Sequence, residues 1–200
     1  YSWQLTNDFF AGIGCLLVLF LYFLPKQYYS QPKKTQLKPV FWSQLRLLLL
    51  NKRIIINMVI TGLLYTPLAL LAEFWGGYYV NLVHPDSPIH YSEQVGLFFI
   101  GWAFGAPFFG WLAKWFPSER FLMLIISPIT AILLIMLYVA FIRVETSLGI
   151  YFLLIGFFAS CQVLGIASAK QLCHESNYAI CFALTNTGVM LVNYLVQLFF

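Results

Sequence analysis

Six stretches of the 200-residue chain, at 5–24, 54–80, 95–114, 121–142, 148–169 and 178–200, are each apolar along nearly their whole length. At 1.5 Å per helical residue, about twenty such residues cover the roughly 30 Å hydrocarbon core of a bilayer. The chain is therefore expected to be an all-α, polytopic membrane helix bundle with six transmembrane helices. A transmembrane barrel would need strands of about ten residues alternating in polarity, and no such alternation occurs. With 61% hydrophobic and 9% charged residues and a mean hydropathy of +0.81, a soluble domain is excluded.

Basic residues set the orientation, because lysine and arginine gather at cytoplasmic span ends. Lys26, Lys33, Lys34, Lys38, Arg46, Lys52 and Arg53 occupy the first long loop, and Lys114, Arg120 and Lys170 fall on the same side, leaving Arg143 opposite. That loop is expected to be cytoplasmic. It accounts for the formal net charge of +4 and speaks for a positive-inside loop rather than nucleic-acid binding. Within it, "KPVFWSQLRLLLLNKR" places Pro39 ahead of mixed aromatic and basic residues, which predicts a short helix on the inner surface.

Chemistry-bearing side chains are sparse. Cys15, Cys161, Cys173 and Cys181 lie in or beside apolar runs without metal-ligand spacing and read as small core residues. His84, Asp86, His90 and Glu93 read as solvated loop polarity, and His174 and Glu175 lack the spacing of hydrolytic motifs. No metal and no cofactor is expected.

Glu73, in "LLYTPLALLAEFWGGYYV", is the exception. A charge within lipid costs roughly 3 kcal/mol or more, so such residues are paired, hydrated or functional. At 100° per residue, Gly62, Thr66, Ala69 and Gly77 fall within about 40° of it, a small-residue face that points Glu73 into the bundle. Asp8, Asp86, Glu93, Glu119, Glu145 and Glu175 all sit near span ends or in loops. Asn186, Asn193 and Gln197, spaced by seven and four, form an amide stripe, and Gln162 lies mid-span. These amides serve either as glue between helices or as the lining of a hydrated cavity. Pro67, Pro107 and Pro128 mark sites where spans could break.

"GLFFIGWAFGAPFFGWLAKWFPSER" carries Gly101, Gly105, Pro107 and Gly110, then Lys114 and a charged turn ending in Arg120. This resembles the signature loop region of the major facilitator superfamily, in its second-half version between spans 8 and 9. Gly101 and Gly105, four residues apart, would allow close helix packing. Lys114 stands where that family usually carries aspartate. "LLAEFWGGYYV" is similar to the span 7 pattern of one bacterial branch, and "HESNYAICFALTN" to its turn into span 11, where Asn186 matches and Ala179, Ile180 and Cys181 replace Gly-Thr-Ala.

The resemblance implies spans 6 to 11 of a twelve-span carrier, and the chain, starting at Tyr1 and stopping in "LVQLFF", reads as an internal fragment. Residues 1–24 would be the last span of the N-terminal bundle, 25–53 the cytoplasmic central linker, and 54–200 an incomplete C-terminal bundle. The expected function is a secondary active transporter of the bacterial inner membrane, a proton symporter moving a small polar solute by alternating access. Its partners would be the solute, the bilayer, the coupling proton and the N-terminal half of the same chain, with no nucleic acid. The substrate and proton candidates are Glu73, Thr66, Gln162, Asn186, Asn193 and Gln197. Two rivals are a non-transporting solute receptor on the same fold and a membrane-embedded transferase. The transferase would need acidic and histidine residues converging at one face, whereas here they scatter to both sides.

Overall fold

In hydrocarbon an unpartnered backbone amide costs several kcal/mol, so apolar runs of this length must satisfy their own hydrogen bonds as helix. The computed structural model describes residues 3–23, 40–78, 91–142 and 148–199, and every regular element among them is helical. They form two units, 1–41 and 42–200. The first contains α1 (Trp3–Tyr22), whose side chains from Asn7 to Tyr22 are exposed.

The second unit is a helix bundle: α2 (Val40–Leu49), entering it from Trp42 on, then α3 (Lys52–Pro67), α4 (Tyr91–Leu112), α5 (Glu119–Ile142), α6 (Leu148–Ala159), α7 (Gln162–Ser168) and α8 (Tyr178–Gln197). Five helical stretches are long and apolar enough to cross a membrane: Lys52–Tyr78, Glu93–Trp115, Glu119–Ala140, Leu148–Leu172 and Tyr178–Gln197. They match five of the six expected spans to within a few residues. In the expected first span the apolar helical stretch among the described residues is Asn7–Tyr22.

Local chemistry sets several boundaries. The Asn51 side chain accepts the Arg53 N–H at 3.0 Å and starts α3, and the Ser118 hydroxyl accepts the Phe121 N–H at 3.2 Å at the head of α5. After Pro67 the helix widens to a π-helical stretch, Leu68–Phe74, closed by the Trp75 N–H bonding to Leu70 five residues back. Proline has no N–H and its ring crowds the carbonyl four residues earlier, and a wider turn relieves that crowding. Pro107 and Pro128 lie inside continuous helices, α4 and α5. The other break, at Ser160–Cys161 between α6 and α7, contains no proline; there the Ser160 hydroxyl donates to the Phe157 carbonyl at 2.6 Å.

The bundle core has three levels. At the basic end Leu48 of α2 packs with Ile54, Ala169 and Cys181; in the middle Leu64, Phe109, Leu122 and Leu164 meet; at the far end Leu68, Phe98, Leu137 and Phe152 meet. Gly101 and Gly105 of α4 lie against the carbonyls of Leu153 and Phe157, and Gly156 of α6 lies against that of Phe98, so a methyl at any of them would strike backbone oxygen. Gly110 has open space around it and is exposed, so its lack of a side chain is not needed for packing within this unit. The periphery is apolar, as at Leu124, Ile132 and Ile135 of α5, which suits contact with lipid.

Candidate functional site

Asn57, Thr61, Thr130, Ser160, Gln162, Ser168, Thr185 and Asn193 are all buried, so the bundle holds polar groups inside and greasy ones outside. Most of these groups bond to a carbonyl. Asn57 Nδ2 donates to the Gly165 carbonyl at 2.9 Å, and its Oδ1 accepts the Ser168 hydroxyl at 2.7 Å, joining α3 to α7. Asn193 Nδ2 donates to the Gly62 carbonyl at 3.2 Å and to Val189 at 2.8 Å, joining α8 to α3. Its Oδ1 is buried without a partner among the described residues.

The amide stripe therefore divides. Asn193 is buried between helices, Asn186 is exposed, and Gln197 is half-buried. Gln197 lines a cavity of about 480 Å³ with Phe74, Trp75, Tyr78, Tyr194 and Leu198. Thr66 donates to the Gly62 carbonyl at 3.1 Å, the same oxygen that Asn193 reaches. Gln162 is buried at the first position of α7, just past the break.

Glu73 lies in the π-helical stretch and is exposed rather than enclosed by the bundle. The small residues expected beside it do pack: Gly62 against Val192, Ala69 at 1% exposure, and Gly77 against the Tyr91 ring. The wheel that put Glu73 on their face assumes 100° per residue throughout, and the wider π turn advances each residue by less. Glu73 instead meets Tyr65, whose hydroxyl donates to its Oε1 at 2.8 Å. Tyr65 stands edge-on to Trp102 at 6.2 Å, and Trp102 stacks on fully buried Phe98 at 6.2 Å and 21°. Tyr91 donates to the Leu71 carbonyl, and a Cβ at Gly76 would collide with that hydroxyl. "FWGG" thus leaves room for Tyr91 to dock on the distorted turn.

Tyr65 was not among the residues singled out from sequence. A tyrosine eight residues before the glutamate is not its neighbour on a regular helix, and only the π turn brings them together. Asn57 and Ser168, 111 residues apart, carry no local signal of pairing.

The charged turn of the signature segment sits at the basic end of the bundle, with its glycines further along α4. Pro107 is exposed on α4, and Lys114 is exposed in a short turn, Ala113–Trp115. Arg120 shares with Arg53 a cavity of about 460 Å³ between α3 and α5. The link across this end runs from Gln171, whose amide donates to Glu119 Oε2. Lys170 lies 5.5 Å from the centre of the Phe182 ring. Residues 24–39, with His84, Asp86, His90, Arg143 and Glu145, lie outside the described residues.

The candidates do not form one cluster: Glu73 pairs with Tyr65, Thr66 and Asn193 share a carbonyl, and Gln197 lines a separate aromatic cavity. Comparison with curated proteins and with solved structures gave no match. The family model described as Major Facilitator Superfamily matches residues 1–195. With its multi-pass bundle of apolar helices and its glycine-packed signature region, the chain belongs to the major facilitator superfamily of membrane transporters.

Proposed function

We propose that this chain forms part of a secondary active transporter that moves a small polar solute by alternating access and couples the movement to protons through Glu73. In this reading residues 1–24 are the last span of an N-terminal bundle, 25–53 a cytoplasmic linker that includes α2, and 54–200 an incomplete C-terminal bundle. The N-terminal half of the same chain supplies the facing wall of the solute path. The membrane is a bacterial inner membrane, with the basic end of the bundle in the cytoplasm.

The observation that carries the reading is the Glu73–Tyr65 pair. A carboxylate held by one hydroxyl, on a distorted turn and exposed at the bundle's surface, is placed to take up and release a proton as the path opens to either side. Vesicles containing the full-length protein should accumulate a member of a panel of radiolabelled sugars, amino acids, amines and organic acids when a proton gradient is imposed. Glu73→Gln keeps size and hydrogen bonding but cannot cycle a proton, so it should lose gradient-driven accumulation and keep exchange across an equilibrated membrane. Full accumulation by that variant would remove Glu73 from the coupling step.

A further inference from the structure

We infer that Cys173 and Cys181 are a redox-responsive pair: an oxidant of the peroxide class joins them in a disulfide that clamps the turn between α7 and α8. The inference goes beyond the transport reading and does not depend on it.

Sequence and packing bring the two thiols together. After α7 a short turn, Ala169–Leu172, ends on Cys173, whose backbone is extended at φ −140° and ψ 161°. A second turn, Glu175–Asn177, in which the Asn177 N–H bonds to the His174 carbonyl at 2.8 Å, leads into α8 at Tyr178. Cys181 falls in the first turn of α8. Both side chains reach the core level that Leu48, Ile54 and Ala169 form at the basic end. There the Cys181 thiol is hydrogen-bonded to that of Cys173, and Cys173 Sγ donates to the Ala169 carbonyl at 3.4 Å. Thiols in contact point their side chains at one another, which is what a bridge needs if the backbone is not to move.

Unequal burial assigns the roles. Cys173 is half-buried, so an oxidant can reach it, whereas Cys181 is 1% exposed and meets little besides its neighbours. Susceptibility to oxidation follows access, and a sulfur oxidised beside a second thiol is captured by it. Cys161 is buried in the middle level of the core, with Leu64 and Phe109, and belongs to a different cluster.

The chemistry balances with one peroxide. The Cys173 sulfur attacks one peroxide oxygen, the O–O bond breaks, and the thiol proton leaves with the other oxygen as water, giving a sulfenic acid. The Cys181 sulfur then attacks the sulfenic sulfur, an S–S bond forms, and the S–O bond breaks as hydroxyl and the Cys181 proton leave as a second water. A dithiol reductant reverses the bridge by exchange. In the orientation proposed above the pair lies at the cytoplasmic end, where thiol pools keep it reduced until oxidant rises. The bridge removes the freedom of residues 174–180 to open away from α8.

The test treats full-length protein in detergent with submillimolar hydrogen peroxide, blocks remaining thiols and digests with trypsin and chymotrypsin. Cleavage after Tyr178 separates "QLCHESNY" from "AICF", so the two fragments stay joined only through an S–S bond. Peroxide should yield the joined pair, lighter than the two thiol fragments by two hydrogens, and dithiothreitol should part it. In Cys181→Ser the sulfenic acid has no captor, so dimedone should label Cys173 at least about fivefold more than in wild type. Amide hydrogen exchange across residues 174–180 should slow about threefold or more on oxidation, and Cys161→Ser should change none of these results. Fragments that separate after peroxide, Cys173 joined instead to another cysteine, or equal dimedone labelling of wild type and Cys181→Ser overturns the pair. Unchanged exchange in bridged protein overturns the clamp. The wild-type digest needs no variant, so the pair is tested even if Cys181→Ser does not fold.

Discussion

Asn57 uses both ends of its amide at once, donating to the Gly165 carbonyl and accepting from Ser168, and so fixes the register of α3 against α7. Ser168 also bonds to that carbonyl at 2.9 Å, so Gly165 keeps a partner when Asn57 is lost. Asn57→Leu, of similar size, should therefore cost only about 1 kcal/mol, the usual worth of a polar contact between membrane helices. Thermal unfolding in detergent should show a drop of a few degrees, and Ser168→Ala added to Asn57→Leu should cost less than it does alone. Strictly additive losses would mean that the two side chains are not coupled. At this scale the sequence was least informative. It singled out Glu73 by its cost in lipid, but its partner Tyr65 depends on a turn that no periodicity reveals, and Asn57 was passed over because an asparagine near a span end looks like ordinary interfacial polarity.

Elements were far more legible, since a run of apolar residues long enough to cross a bilayer has few alternatives to helix. Five spans emerged with ends displaced by only a few residues. Interruptions were misread where proline was taken as their sign: Pro107 and Pro128 sit in unbroken helices, while the turn at Ser160–Cys161, which contains no proline, packs against α4. There Gly105 lies against the Phe157 carbonyl and the Ser160 hydroxyl. Gly105→Leu would force α4 and α6 apart, and overpacking of this kind costs roughly 1–3 kcal/mol or more. Folded yield and melting temperature should fall clearly, whereas Gly110→Ala, with nothing within 4 Å, should leave both unchanged. Equal behaviour of the two variants would refute the close contact.

For the whole molecule, the basic end of the bundle sets an orientation that can be measured directly. With Ser30→Cys and Ser87→Cys introduced singly in a background lacking exposed native thiols, an impermeant thiol reagent added to intact cells should label position 87 and spare position 30. Labelling of both from outside would overturn the assignment of the basic loop to the cytoplasm. The family was legible from the glycines and the charged turn of one segment, and the match over residues 1–195 extends it to nearly the entire chain. The solute path was not legible in the same way, because its residues come from separate helices.

The apolar flank of α5, with Leu124 at 65% and Ile135 at 64% exposure, has a calorimetric consequence. In a water-soluble domain, burying such side chains removes them from water and gives unfolding a large positive heat-capacity change. Here the surface that α5 shows outward is covered by acyl chains, and the surface that it packs inward would meet acyl chains if the helices parted. Separating the helices within the membrane hydrates almost nothing. Its enthalpy should therefore vary little with temperature, and the stability curve of the bundle should run nearly straight on cooling rather than bending toward cold denaturation.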